Sequence, residues 1–209
     1  VDGADAADPA AITLAVDEKL LNTAGATGSM PGTGAVTDNS PTLSFTAGTD
    51  SLTSFVFGDV SNLLTTIDGA GPDLFWTRVN NTTITGSLTN GGPAAITLTL
   101  SAPASIGPNQ TGNVTVTFTL ADNIPHALAN MAQTQGLGFV TVLASDNDGA
   151  TATGQVNLTV TDDVPTLTVS DTPTSAVAGA TVAGTFSLTA GADGVSSVVV
   201  TYGAASATL

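Results

Sequence analysis

Apolar and polar residues alternate with a period of two in short runs that end at Gly, Pro, Asn or Asp. The clearest runs place Val, Leu, Ile or Phe at every second position, over residues 12–16, 96–100, 114–120 and 156–160. Because successive side chains of a strand point to opposite faces, each run predicts a strand with one buried face. Other stretches rich in Thr, Val and aromatic residues predict further strands over residues 42–46, 52–57, 82–88 and 138–144.

Short strands at regular spacing, separated by turn residues and lacking long helical crossovers, are typical of a β-sandwich. We therefore predict an all-β fold, an antiparallel β-sandwich. One short helix is predicted over residues 127–133, where Ala, Leu and Met follow Pro125.

One segment of the chain occurs twice. Residues 43–56 align without gaps with residues 186–199, and seven of the fourteen pairs are identical at a constant offset of 143. Self-similarity at a fixed period predicts an array of structural repeats. We expect residues 1–8 to be a linker from a preceding unit, residues 9–163 to form one sandwich and residues 164–209 to begin the next.

The charge is strongly acidic and is carried almost entirely by aspartate. The chain has 2 basic residues and 17 acidic ones, a formal net charge of -15, and Glu18 is its one glutamate. Nucleic acid and anionic membrane surfaces are therefore excluded as partners, and no apolar run is long enough to predict membrane insertion. Aspartate favours turns and donates oxygen ligands, so loops rich in it attract hard cations.

Acidic residues gather where one predicted unit meets the next. Neighbouring carboxylates about 4 Å apart repel by roughly 1 kcal/mol in water and about 4 kcal/mol at an effective dielectric constant near 20. A cation reverses that repulsion, and calcium fits best because it accepts about 6 to 8 oxygens in loose geometry. The predicted ligands are Asp146, Asp148, Asp162, Asp163 and Asp171. The strand between Asp148 and Asp162 predicts that the first pair and the second lie at opposite ends of it.

A second group of acids lies near the start of the chain. Asp8, Asp17 and Glu18 suggest another calcium site, at the joint with a preceding unit. A disordered linker is the alternative interpretation of this segment.

The sequence does not favour an enzyme. His126 is the sole histidine, cysteine is absent, and 9 of the 209 residues are aromatic, so neither a catalytic triad nor an aromatic-lined glycosidase groove is expected. Phe75, Trp76 and Arg78 form one local concentration of adhesive side chains, for which core packing and a ligand-contacting loop are the two interpretations.

Residues 146–152, followed by the alternating strand to Val160 and by Thr161-Asp162-Asp163-Val164-Pro165-Thr166, resemble a known family. This stretch is similar to the closing strand and linker of the long repeats in type I-secreted, repeats-in-toxin giant bacterial adhesins, and residues 118–126 are similar to the segment before it. Ala150 departs from the pattern, because a third acid commonly stands there.

The resemblance implies an immunoglobulin-like or cadherin-like module in a secreted cell-surface protein that serves cell adhesion and biofilm formation. It further implies end-to-end stacking on neighbouring repeats of the same chain, calcium at the joints, and contact with surface glycan or protein through another domain. Two alternatives remain open: a calcium-dependent module that itself binds glycan or protein, and a structural subunit of a surface layer or matrix fibre.

Overall fold

A computed structural model of the chain describes residues 8–67, 69, 71–126, 134–170, 185–202 and 205–208, and in these ranges the fold is all-β. The one helical element among them is a single 3-10 turn at Glu18–Leu20. No helix in these ranges is long and apolar enough to cross a membrane. The helix predicted over residues 127–133 and the predicted ligand Asp171 lie outside the described residues.

Residues 8–163, called the main sandwich below, hold ten strands in their described part. In chain order they are β1 Ile12–Asp17, β2 Val36–Asp38, β3 Leu43–Thr46, β4 Ser54–Phe57, β5 Phe75–Asn80, β6 Thr83–Ser87, β7 Ala94–Ser101, β8 Thr111–Leu120, β9 Thr134–Ser145 and β10 Thr151–Thr161. One sheet has the order β1-β10-β9-β4. The other has the order β2-β8-β7-β6-β5, and β3 also pairs with β8.

Both sheets contribute to one hydrophobic core, which confirms the interpretation of the alternating runs. The inward-facing positions predicted for β8 and β10 are all buried in it: Val114, Val116, Phe118, Val156, Leu158 and Val160. The intervening Thr, Asn and Gln residues face outward with partial exposure. The β-sandwich-like, all-β architecture thus follows from period-two alternation of β-branched and aromatic residues.

One strand pair departs from the predicted antiparallel arrangement. β1 runs parallel to β10, with Ile12 opposite Val156 and Asp17 opposite Thr161. Alternation specifies which side chains are buried but does not specify strand direction, so the sequence pattern could not reveal this pairing. As a result, the C-terminal ends of β1 and β10 lie at the same end of the sandwich.

Two strands, β2 and β5, are missing from the sequence prediction. β5 lies at the edge of its sheet and is largely exposed, so it shows no alternation. Trp76 in β5 packs partly against the core, its indole Nε1 donates a hydrogen bond to the Leu64 carbonyl at 2.8 Å, and its ring covers Gly86. These contacts support the core-packing interpretation of Trp76.

The predicted second unit contributes four described strands, β11 Thr166–Ser170, β12 Thr185–Thr189, β13 Val199–Tyr202 and β14 Ala205–Thr208. They form two antiparallel pairs, β11 with β12 and β13 with β14. β12 and β3 occupy matching positions of the aligned segments, yet β3 pairs with β8 whereas β12 pairs with β11. The aligned segments thus share local strand structure but differ in their partners.

The central strand β8 offers a direct test of the core. Phe118 is fully buried and lies opposite residues of both β7 and β2. We expect Phe118→Ala to lower the free energy of unfolding by about 3–5 kcal/mol, because it removes buried surface and leaves a cavity. Chemical denaturation measures this change, with Thr117→Ala on the outward face of the same strand as the control. A loss below about 1 kcal/mol for Phe118→Ala would contradict the assignment of this residue to a tightly packed core.

Candidate metal centre

The parallel pairing of β1 and β10 brings two predicted ligands together. Asp17 and Thr161 are the last partners in the ladder, so Glu18 and Asp162 leave the sheet side by side. Asp17 caps the following 3-10 turn by accepting a hydrogen bond from the Lys19 backbone N–H at 3.1 Å. The turn directs Glu18 into the protein, where it is 0% exposed.

His126 completes a compact group with these two acids. Glu18 Oε1 accepts a hydrogen bond from the Ile124 backbone N–H at 2.8 Å and lies 3.1 Å from His126 Nε2. One ligand atom from each of Glu18, His126 and Asp162 lies within 4.8 Å of the others. Within the part of the chain that the structure describes, no other group of three His or acidic side chains is this close.

Three polar atoms of this group are buried without a hydrogen-bond partner: Glu18 Oε2 and both ring nitrogens of His126. Buried polar atoms in proteins are nearly always paired, because desolvation without a partner costs free energy. Glu18 Oε1 accepts a hydrogen bond from Ile124 and keeps a second lone pair, and Oε2 has no partner, so either oxygen can coordinate a cation. The buried atoms therefore fit a bound metal ion.

A loop of the predicted second unit adds a third acid, the fourth member of the group, at the exposed rim. Gly191 packs so closely on Asp163 that a Cβ at this position would overlap the Asp163 carbonyl oxygen, and Ala192 is buried in the same core. Asn123 Nδ2 donates a hydrogen bond to Asp193 Oδ1. We call Glu18, His126, Asp162 and Asp193 the joint cluster, because it draws residues from both predicted units.

Burial and mutual charge shift the protonation of the cluster. Burial is the main cause that raises the pKa of Glu18 above its ordinary value, against the contacts with His126 and Ile124. Burial likewise raises the pKa of Asp162, and Asp193 and Asp163 add to the effect. For His126, burial acts to lower the pKa, but the close contact with Glu18 and its charge, together with the charges of Asp162 and Asp193, raise it on balance.

The chain has two basic side chains, and neither compensates the joint cluster. Lys19 Nζ forms an ion pair with Asp17 at 2.7 Å. Arg78 is in β5, where its Nη2 donates a hydrogen bond to Asn81 at 3.1 Å. Three carboxylates therefore converge on one imidazole, and a divalent cation would supply the missing positive charge.

Asp163, another predicted ligand, is held by protein atoms. Its two carboxylate oxygens accept hydrogen bonds from the Ser29 backbone N–H and from Ser29 Oγ, both at 2.6 Å. Gly28 permits this contact, because a Cβ there would overlap the backbone of the 3-10 turn. These two hydrogen bonds hold the loop around Ser29 against the end of β10.

Asp146, Asp148 and Asp8 lie at the opposite end of β10 from Asp162, which confirms the predicted separation. Asp146 Oδ1 accepts hydrogen bonds from the backbone N–H groups of Asp148 at 3.0 Å and Ala150 at 2.9 Å. Asp8 Oδ1 accepts one from the Thr153 N–H at 2.6 Å. The structure therefore divides the N-terminal acids, placing Asp8 at one end of the main sandwich and Asp17 with Glu18 at the other.

Sequence reasoning missed two members of the joint cluster. The sequence pattern points to His126 only as a possible catalytic residue, although a lone buried histidine is also a metal-ligand candidate. The sequence does contain one indication of Asp193, because this residue aligns with Asp50 as an identical pair in the internal repeat. Neither His126 nor Asp193 is adjacent in sequence to the acidic residues at the predicted boundary between the two units.

Comparison with known proteins provides no independent guide to function. No protein-family model, no curated protein and no solved structure matches the chain. The residues of the joint cluster, and the fold that positions them, are therefore the features from which a function can be inferred.

The pKa shifts predict a dependence of stability on pH. The folded pKa of His126 is raised, so its stabilising charge is fully present below about pH 6.5 and is lost as the pH rises through the folded value. The raised pKa values of Glu18 and Asp162 act with the same sign, because the folded protein binds their protons more readily than the unfolded chain. Without divalent cations, we expect the melting temperature to fall between about pH 6 and about pH 8.

Thermal denaturation in the presence of a chelator measures this dependence. His126→Gln should remove most of the decrease between the two pH values, because His126 is the sole histidine of the chain. An equal decrease in the variant, or a rise in the melting temperature of the unaltered protein, would show that the cluster does not control this titration.

Proposed function

We propose that the chain is an extender segment of a large secreted bacterial surface adhesin that serves cell adhesion and biofilm formation. Its units are immunoglobulin-like or cadherin-like sandwiches that follow one another along the same chain. Calcium bound at the joint between two units stiffens the string, and the function is mechanical rather than enzymatic.

The joint cluster carries this proposal. Glu18, His126 and Asp162 come from the main sandwich, whereas Asp193 comes from the loop that docks on it. The charge of Asp193 acts on all three, so a cation bound among them would attract this loop and link the two predicted units electrostatically. The unpartnered Oε2 of the fully buried Glu18 is the single observation that most favours a bound ion over a solvated group of acids.

Calcium suits this position on chemical and energetic grounds. The carboxylates supply the hard oxygen donors that calcium prefers, and extracellular modules commonly bind it at about 10⁻⁴ to 10⁻³ M. An ion that binds only the docked arrangement favours that arrangement by mass action. Each joint then resists bending while calcium is present and loosens when calcium is removed.

The β-sandwich-like architecture supports an extender because its two ends are distinct. β1 and β10 both end at the joint, and Asp8 and Asp146 lie at the other end of β10. A module whose chain enters at one end and leaves at the other adds its full length to a string. The adhesive contact with glycan or protein is then the task of another domain.

The rival function is a module that itself binds glycan or protein through the loops before β5. Trp76, the residue best suited to stack on a sugar, already covers Gly86 and donates its indole hydrogen bond to Leu64. This packing favours a structural role for Trp76. A subunit of a surface layer or matrix fibre would need lateral contacts, which a string of units does not require.

Calcium should stabilise the protein through Glu18. At a free calcium concentration about 100-fold above the dissociation constant, binding adds about 2.7 kcal/mol to the free energy of unfolding. We expect calcium to raise the melting temperature and, by stiffening the joint, to narrow the distribution of molecular dimensions measured by small-angle scattering. The variant Glu18→Gln should abolish both effects. Glutamine keeps the shape of Glu18 and its capacity to accept a hydrogen bond from Ile124, so the variant tests charge rather than packing.

Asp59→Asn is the matched control, because Asp59 is an exposed acid outside both the joint cluster and the predicted ligands, and asparagine can still accept the hydrogen bond from the Ser61 N–H. This variant should respond to calcium as the unaltered protein does. If calcium changes neither the melting temperature nor the maximum dimension of the unaltered protein, the calcium joint is wrong. If Glu18→Gln and Asp59→Asn respond equally, calcium binds elsewhere.

A further inference from the structure

We propose that His126 is itself a ligand in the joint cluster, which makes this a mixed nitrogen and oxygen site that binds zinc-class divalent transition-metal ions more tightly than calcium. The inference rests on the proposed function insofar as it concerns the same cation site, and it adds the class of ion that the site prefers. It depends on His126, which neither the repeat pattern nor the acidic composition indicated.

The spacing of the donor atoms suits a small ion. His126 Nε2 and Glu18 Oε1 are 3.1 Å apart, and an Asp162 oxygen lies within 4.8 Å of the ligand atoms of both. Zinc binds nitrogen and oxygen ligands at about 2.0 to 2.2 Å, so tetrahedral ligands lie about 3.3 Å from one another. The Glu18 to His126 separation is close to that value, and a small movement of Asp162 would complete three ligands.

The burial of the imidazole is the second, independent observation. The His126 side chain is 6% exposed, and neither ring nitrogen has a hydrogen-bond partner. A buried histidine normally donates from one ring nitrogen and accepts at the other. A metal ion bound at Nε2 accounts for the nitrogen that faces Glu18.

Donor chemistry then decides between classes of ion. Imidazole nitrogen is a preferred ligand of zinc, nickel, copper and iron, whereas calcium is bound by oxygen atoms. One imidazole with two carboxylates leaves a fourth tetrahedral position, which a water molecule can fill. Calcium and zinc would therefore compete for one site, and His126 would act only in the binding of zinc.

A protonated His126 that merely neutralises Glu18 is the competing explanation. In that arrangement the ring carries a proton on each nitrogen and has no lone pair for a metal. Zinc would then leave the ring unchanged, so the two explanations predict opposite results in one experiment.

The test uses the full chain, purified without a histidine tag and titrated with zinc chloride or calcium chloride at about pH 7.5. Because the chain has one histidine, its ring resonances in an NMR spectrum belong to His126 without further assignment. We expect zinc to shift these resonances with one-to-one stoichiometry. Calorimetry should show that His126→Gln weakens zinc binding at least about tenfold, while calcium binding persists because the glutamine amide offers an oxygen.

Ring resonances that zinc leaves in place, or equal zinc affinities of the unaltered protein and His126→Gln, would overturn the inference. Asp59→Asn serves as the control and should bind zinc as the unaltered protein does. If zinc shifts the ring but calcium neither binds nor stiffens the joint, the inference stands and calcium is removed from the proposed function. If calcium stiffens the joint while zinc leaves the ring resonances of His126 unchanged, this inference fails and the proposed function stands.

Discussion

β1 and β10 run in parallel and in register, and this pairing is the constraint on which the arrangement of the joint depends. Because Asp17 lies opposite Thr161, the next residue of each strand emerges at the same end of the sandwich. Residues separated by most of the main sandwich in sequence thus become neighbours in space. An antiparallel pairing would place Glu18 and Asp162 at opposite ends, and no cation could contact both.

The parallel pairing of β1 and β10 also places the Glu18 carboxylate where few positively charged groups can compensate it. Glu18 is fully buried with one oxygen unpartnered, and the two basic residues of the chain are occupied elsewhere. Burial of an unpaired carboxylate is costly, so its pKa rises and proton or cation binding becomes favourable. Asp163 behaves differently because Ser29 satisfies its carboxylate. Asp162 and Asp163, neighbours in sequence, therefore differ: Asp163 is held by protein atoms, whereas Asp162 lies with Glu18 and His126 in the group suited to a ligand.

Sequence pattern predicts the core well and the joint only in part. Alternation identified the buried positions of β8 and β10, because side-chain burial has the period of the strand. It missed β5, whose edge position leaves no alternation to detect. The acidic composition indicated Asp162 and Glu18 as ligand candidates, but it assigned them to two different sites, whereas the structure places them in one group. The proximity of Glu18 and Asp162 to His126 depends on strand direction and on long-range contacts, which local sequence patterns do not encode.

The central claim, that a cation at the joint acts through Glu18, is tested most directly by native-state hydrogen exchange at a single amide. The Ile124 N–H donates to Glu18 Oε1, so an ion that orders Glu18 should slow the exchange of Ile124. The Leu52 N–H, which donates to the Ile106 carbonyl at 2.9 Å in a different part of the main sandwich, provides the reference. The account predicts slower exchange of Ile124 with calcium than with chelator, and a smaller change at Leu52. Equal exchange of Ile124 in calcium and in chelator would contradict it.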